Sequence, residues 1–169
     1  MDLNRCLKAL NDSNCPLNVV AHSKAVSKKA VNIAKNYADK TSITVDMEQV
    51  RFGALLHDIG RSKTHSIEHA VVGAEILSNL NFPESYVNIT LKHIGAGIPH
   101  DEAEKLGLPP GDYIPTTIEE KIVAHADNLI SGTTEVDLIF VLNKCENKFG
   151  KDHPALKRMK KLHEELLLE

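Results

Sequence analysis

The stretch Leu55-Leu56-His57-Asp58-Ile59-Gly60-Arg61 places an imidazole and a carboxylate on adjacent positions. Two apolar residues lead into the pair, which predicts a place at the inner end of a buried helix. Gly60, two residues further on, predicts a sharp turn. One His-Asp dipeptide arises readily by chance. Its meaning depends on whether a helical fold brings other His and Asp residues to the same point.

The bulk of the chain is compatible with such a fold. Its 169 residues are 42% apolar and 25% charged, which suits one domain, 1–169, with a real core. Aromatics make up 4% and Trp is absent, so the core must be built from Leu, Ile, Val and Ala. That favours packed helices over a sheet sandwich, an all-α class. The net charge of -3 supplies no global basic field, and long nucleic acid is not the expected partner. A small anionic substrate needs only local positive charge. Cys6, Cys15 and Cys145 are odd in number and lack C-x-x-C spacing, against a disulfide framework or a zinc ribbon. A reduced, cytoplasmic setting is expected. The N-terminus shows no signal-peptide pattern, and no apolar run approaches the length of a membrane span.

Outward from His57-Asp58, apolar periodicity marks a series of helices. Leu3, Leu7 and Leu10 predict a short first one, broken at 11–14. Pro16 opens a second, running to about Lys40, with Val19, Val26, Ala30, Ile33 and Tyr37 on one stripe and His22 among them. By itself His22 also fits a core histidine bonded to a backbone carbonyl. Thr44 or Asp46 can cap the helix that ends at His57. The segment 60–65 is expected as a loop. Its Arg61 and Lys63 suit either a phosphate or plain solvation.

Ser66 is expected to cap a fourth helix with His69 on its inward side and a stripe of Val72, Gly73, Ile76, Leu77 and Leu80. Gly73 there marks a close crossing. Pro83 opens a fifth helix ending at His93, just before Gly95-Ala96-Gly97. Residues 100–106 form a short exposed helix, and the Pro-rich 108–115 a stiff loop that can wall a pocket. Thr116 or Thr117 caps a helix with Ile118, Ile122, Ala126 and Leu129 inward and Asp127 at the stripe's edge. A carboxylate there is costly unless paired or metal-bound. Two amphipathic helices are expected at 134–149 and 153–168, packing on a site core of 22–127. Asp137, Glu146 and the basic run 157–161 are expected on solvated faces, with His153 and His163 at the surface. The roles of His65, His100 and His125 stay open at this point, His125 as a surface group or one beside the ligands.

His22, His57, Asp58, His69, His93 and Asp127 are thus the inward polar residues, offering four imidazoles and two carboxylates. N and O donors without thiolate suit Fe(II), Mn(II), Co(II), Ni(II) or Zn(II) better than Mg(II). Asp58 has two oxygens to share between two ions, and such a pair can clamp a phosphate and activate water.

His22, then His57-Asp58, then Asp127 resemble the H…HD…D signature of the HD-domain metal-dependent phosphohydrolases. His57-Asp58-Ile59-Gly60 resembles the HDIG variant. His69-Ala70-Val71-Val72-Gly73-Ala74-Glu75-Ile76-Leu77 is similar to the H-P-x-x-G-x-x-I-L helix of the HD-GYP phosphodiesterases, with Ala70 in place of Pro. His93-Ile94-Gly95-Ala96-Gly97 resembles their following segment in shortened form, with one His where they have two and without their Glu.

The resemblance implies a helical HD-domain bundle and hydrolysis of a small-molecule phosphate ester, with either one or two divalent ions. It implies His22, His57, Asp58 and Asp127 as ligands of a first ion, and Asp58, His69 and His93 as ligands of a second. Asp58 would also orient the attacking water. Arg61, Lys63 and Lys92 are the candidates for balancing phosphate charge. The segment from His93 to Asp127 is similar to that of the small stand-alone archaeal HDIG proteins, among them dihydroneopterin 2′,3′-cyclic phosphate phosphodiesterases. That points to Fe(II), with Mn(II) beside it, and to a cyclic phosphate. A nucleotide phosphomonoesterase, a degenerate HD ligand-binding module and assembly into a homo-oligomer stay open.

Overall fold

The computed structural model describes residues 1–167, so the last position of the expected terminal helix, 168, lies outside the described residues. The elements run α1 (Leu3–Asp12), α2 (Leu17–Thr41), α3 (Met47–Leu56), a 3-10 turn (Ile59–Ser62), α4 (His69–Asn79), α5 (Glu84–Lys92), α6 (His100–Lys105) and α7 (Ile118–Asn128). A two-stranded antiparallel hairpin follows, β1 (Ile130–Ser131) and β2 (Thr134–Glu135), then α8 (Leu138–Phe149) and α9 (Pro154–Leu167). The expected helical class holds, with this hairpin as its small exception. Among the described residues no helix is long and apolar enough to cross a membrane.

Helix α2 is the spine. Its stripe of Val26, Ala30, Ile33 and Tyr37 is buried and packs with Val50 and Ala54 of α3, Ile122 and Ala126 of α7, and Leu162 and Leu166 of α9. A second apolar cluster joins Cys6 and Leu10 of α1 to Leu56, Ile59 and Leu77. Leu56, Ile59 and Leu77 are fully enclosed. Truncating such a side chain to Ala costs about 2–5 kcal/mol, so the HD dipeptide is anchored on both sides by residues that cannot shift cheaply.

Local caps follow the sequence. Asp46 accepts from the Gln49 amide at 2.9 Å, and Thr117 and Glu120 form a reciprocal capping box that opens α7.

Several expectations need correcting. Helix α4 starts at His69, because the Ser66 hydroxyl accepts from the Glu68 amide in a tight turn ahead of it. Leu80 closes α4 as an exposed residue, outside the inward stripe. Part of the expected 60–65 loop is the 3-10 turn. The stiff 108–115 loop is in addition pinned by the Ile98–Tyr113 bridge. Residues 134–135 belong to the hairpin, not to a helix. Gly132 takes a left-handed φ of 62° at its tip, and the Val136 amide donates to the Leu129 carbonyl at 2.9 Å. Asp137 is exposed as expected, and it also caps α8, accepting from the Phe140 amide at 2.8 Å. The basic run is not wholly solvated, because Arg158 forms a two-armed ion pair with Glu102 at 2.8 and 2.5 Å.

Gly60 is required for a different reason from the turn expected of it. Its φ is not in the left-handed region. A Cβ there would lie 1.9 Å from the His69 carbonyl oxygen and 2.6 Å from the Gly73 amide nitrogen. The chain after Asp58 thus lies backbone to backbone against α4, and this contact carries Asp58 to His69. Gly73 completes the close crossing expected of it, since a Cβ there would meet Thr90 Cγ2 at 2.8 Å. Overpacking costs about 1–3 kcal/mol and occasionally more. Gly60→Ala is expected to lower the thermal midpoint by about 5–10 °C, read by circular dichroism. An unchanged midpoint would show that the crossing tolerates a methyl group.

Candidate metal centre

Each inward histidine is oriented by one backbone bond. His57, at the end of α3, donates Nδ1–H to the Ala54 carbonyl at 2.7 Å. His69, opening α4, donates to Ser66 at 2.7 Å. His93, ending α5, donates to Thr90 at 2.7 Å. His22, in the second turn of α2, donates across the fold to the Gly132 carbonyl at 2.7 Å. A carbonyl oxygen can only accept, so each Nδ1 carries a proton, and each ring, in its neutral form, turns an Nε2 lone pair inward. This is the arrangement by which proteins orient imidazole toward a metal.

Those nitrogens fall into two sets that share Asp58. On one side, Asp58 Oδ2 lies 3.7 Å from His57 Nε2 and 3.9 Å from His22 Nε2. Asp127 Oδ1 lies 2.9 Å from His22 Nε2 and 3.4 Å from His57 Nε2. On the other side, Asp58 Oδ1 lies 3.1 Å from His69 Nε2 and 3.5 Å from His93 Nε2. The triples His22/His57/Asp58, His57/His93/Asp127 and Asp58/His69/His93 each bring donor atoms within 4.8 Å of one another, the spacing of a metal site.

The donor set also has the chemical need for a cation. His57 Nε2 and Asp58 Oδ1 are buried and make no hydrogen bond, a condition that costs about 1–3 kcal/mol per group. His69 Nε2 and His93 Nε2 face each other at 3.1 Å. With both Nδ1 atoms protonated, that contact needs a proton or a cation between the two lone pairs. Residues of this chain therefore fit a divalent metal.

The charges are strongly coupled. Burial opposes charge on His57, yet Asp58 and Asp127 outweigh it and push its pKa up to about 9. Burial likewise opposes the Asp58 carboxylate, but His57, His69 and His93 hold it well below the usual carboxylate range. Asp127 is held down against burial by His57 and His22. Burial pushes His93 the other way, toward the neutral form. The site opens to solvent beside His22, Asp127 and Arg61, whose side chains are 17%, 22% and 30% exposed.

The structure brings together all six residues singled out as ligands, and treats the three candidate phosphate cations differently. Arg61 stands at the mouth with Nε donating to Asp58 Oδ2 at 2.7 Å. Lys63 is exposed on the following turn. Lys92 instead binds the buried Glu120 at 3.0 Å, clamping α5 to α7. His65 is exposed, and His100 lies 3.5 Å from Glu104. His125 is not at the surface: it is buried, with Nε2 3.1 Å from Nδ1 of a half-buried His163.

Two contributors carry no sequence signal, the Gly132 carbonyl and the Gly95 carbonyl. The latter accepts from Asn128 Nδ2 at 2.8 Å and ties the segment after His93 to the residue after Asp127.

This site and fold define the class: the chain belongs to the HD-domain family of phosphohydrolases, whose model matches residues 19–132. An uncharacterized protein of Methanocaldococcus jannaschii is 52% identical over 166 residues, 98% of this chain and 97% of that one. The tRNA (cytidine(56)-2'-O)-methyltransferase of Picrophilus torridus is 48% identical over 165 residues, 98% of this chain and 46% of that protein. The chain thus spans less than half of that relative. Ribonuclease Y of Thermosipho melanesiensis is 35% identical over 114 residues, 66% of this chain and 18% of the other.

Proposed function

We propose that this centre hydrolyses a phosphodiester of a small molecule, a cyclic phosphate above all, using a divalent first-row metal, Fe(II) or Mn(II). The observation that carries the reading is the split of Asp58, one oxygen toward His22 and His57 and the other toward His69 and His93. In this reading His22, His57, Asp58 and Asp127 hold one ion, and Asp58, His69 and His93 hold a second. A bound divalent metal supplies Lewis acidity, lowering the pKa of water and offsetting phosphate charge. Asp58 orients the attacking water between the two sets. Arg61, held on Asp58 and partly exposed, meets the phosphate as it enters. His22 and Asp127 are the other partly exposed members of the site. Residues 1–169 act as one unit, with α8 and α9 packed on the site core.

A dihydroneopterin-type 2′,3′-cyclic phosphate is one substrate of this class. A nucleotide ester is a second, in line with two RNA-directed relatives, a tRNA methyltransferase and a ribonuclease, of which this chain spans 46% and 18%. Phosphomonoester hydrolysis uses the same ligands and is a further arm of the test.

The deciding experiment combines metal analysis with a screen of cyclic and linear phosphate esters. The protein is expected to retain Mn(II) or Fe(II) and to open cyclic phosphates. Failure to take up either ion, or metal uptake without turnover of any ester, would leave a ligand-binding module instead. His69→Ala is expected to reduce the metal-to-protein ratio from near two toward one. An unchanged ratio of two argues that the second ion does not sit at His69.

A further inference from the structure

His93 sits at a joint in the backbone. It caps α5, a helix of 9 residues, and the chain beyond it turns through Gly95 and Gly97, whose left-handed φ values are 62° and 88°. Glycine restrains such a turn less than any other residue. The bond from His93 Nδ1 to the Thr90 carbonyl sets the rotation of the ring. It does not set how far the ring stands from Asp127, which arrives on a different helix, α7. Yet the donor atoms of His57, His93 and Asp127 lie within 4.8 Å of one another.

Two polar links span from the joint to α7, one on each side of His93. Before it, Lys92 Nζ donates to both Glu120 carboxylate oxygens, at 3.0 and 3.1 Å. This pair is buried, its side chains 15% and 3% exposed. Glu120 is fixed in turn by the Thr116 amide, which donates to it at 2.7 Å. After His93, the Gly95 carbonyl accepts from Asn128 Nδ2 at 2.8 Å. Glu120 lies in the first turn of α7, and Asn128 is its last residue, immediately after Asp127. The apolar cluster shared by Ile89, Ala96, Ile122 and Val123 also joins these segments. Apolar burial is non-directional, so the hydrogen bonds supply the register.

We propose that Lys92 and Asn128 are positioning residues: with Glu120 they form a two-point clamp that fixes His93 against Asp127 and thereby sets the affinity of the centre for its ion. This rests on the reading of the centre as a metal site. The Lys92 ammonium is spent on Glu120 and the Asn128 amide on Gly95, so both act through His93 and not on the ion. Apparent affinity falls with the fraction of molecules whose donors are already in place, and the clamp keeps that fraction high.

The test uses the full chain, freed of metal and titrated with Co(II) against a competing chelator. Lys92→Met leaves Glu120 its bonds from Thr116 and Thr117. Asn128→Ala leaves a Gly95 that is only half-buried. Each variant is expected to fold and to bind Co(II) about tenfold more weakly. The double variant should lose about the same tenfold, because opening either point frees the joint, whereas independent contributions would multiply. Lys121→Met cuts the link from the next residue of α7 to Glu165 of α9, 2.6 Å long, and should leave Co(II) affinity unchanged. Unchanged affinity in Lys92→Met and Asn128→Ala, whatever their thermal midpoints, overturns the proposal. So does a multiplicative loss in the double variant, or an equal loss in Lys121→Met.

Metal-free protein separates the clamp from the metal reading. In long-range 1H–15N spectra, Lys92→Met and Asn128→Ala should each shift or broaden the His93 Nε2 resonance, and Lys121→Met should not. If wild type takes up no Co(II), the metal reading fails and these spectra decide alone. An unmoved His93 resonance refutes the clamp.

Discussion

Asp58→Ala is expected to abolish phosphate ester hydrolysis, by about 10³-fold or more, while the helical circular dichroism stays intact. The magnitude follows from what is lost: metal-derived charge stabilisation is worth several kcal/mol of barrier, and each 1.4 kcal/mol is about tenfold. Asp58 faces both ligand sets, so its removal disables both at once, whereas loss of His22 or His69 touches one. The fold should survive because the neighbours of Asp58 are anchored independently. Leu56 and Ile59 are enclosed on either side of the pair, and His57, His69 and His93 keep their own backbone bonds. The measurement is steady-state turnover with metal content on the same preparation. Turnover at the wild-type rate would remove Asp58 from the mechanism.

A second large effect lies away from the centre, at the α7–α9 contact. Burial pushes His125 down to about 3, with the adjacent His163 and Lys29 adding to the shift, against an ordinary value of 6.5. Above pH 6.5 neither the folded nor the unfolded chain protonates this ring, and its contribution to stability is whole. Below 6.5 the unfolded chain takes a proton that the folded chain refuses until about pH 3. Stability is therefore lost as pH falls through that window, by up to about 1.4 kcal/mol per pH unit. His93, also pushed down by burial, adds to the same limb in metal-free protein. His125→Phe should flatten the decline between pH 6 and about 4, measured by urea denaturation across that range. An identical slope in the variant would assign the acid limb elsewhere.

Much of the cluster could be read before any coordinates because its members are side chains set at helix ends and on apolar stripes. A His or Asp among Leu, Ile and Ala stands out, and six such residues stood out together. What stayed hidden were backbone atoms and tertiary choices of partner. The Gly132 carbonyl lies 110 positions from His22, in a four-residue hairpin turn too short for a periodic pattern to show. Lys92 and Arg158 carry the same charge as any surface cation. Only the folded arrangement pairs them with Glu120 and Glu102. Gly60 was legible as a turn but not as a close contact, because a sequence shows the missing Cβ and not the carbonyl that occupies its space.

The source of each imidazole's orientation sets His22 apart from the other three. His57, His69 and His93 take theirs from carbonyls three residues earlier and are oriented wherever their own helices form. His22 depends on the hairpin tip, which is held to α2 by the contact of Lys29 with Glu135. Insertions or substitutions at 130–135 would therefore reorient His22 and leave the other three rings as they were. A lineage could vary this small turn to adjust one donor without altering any of the six clustered side chains.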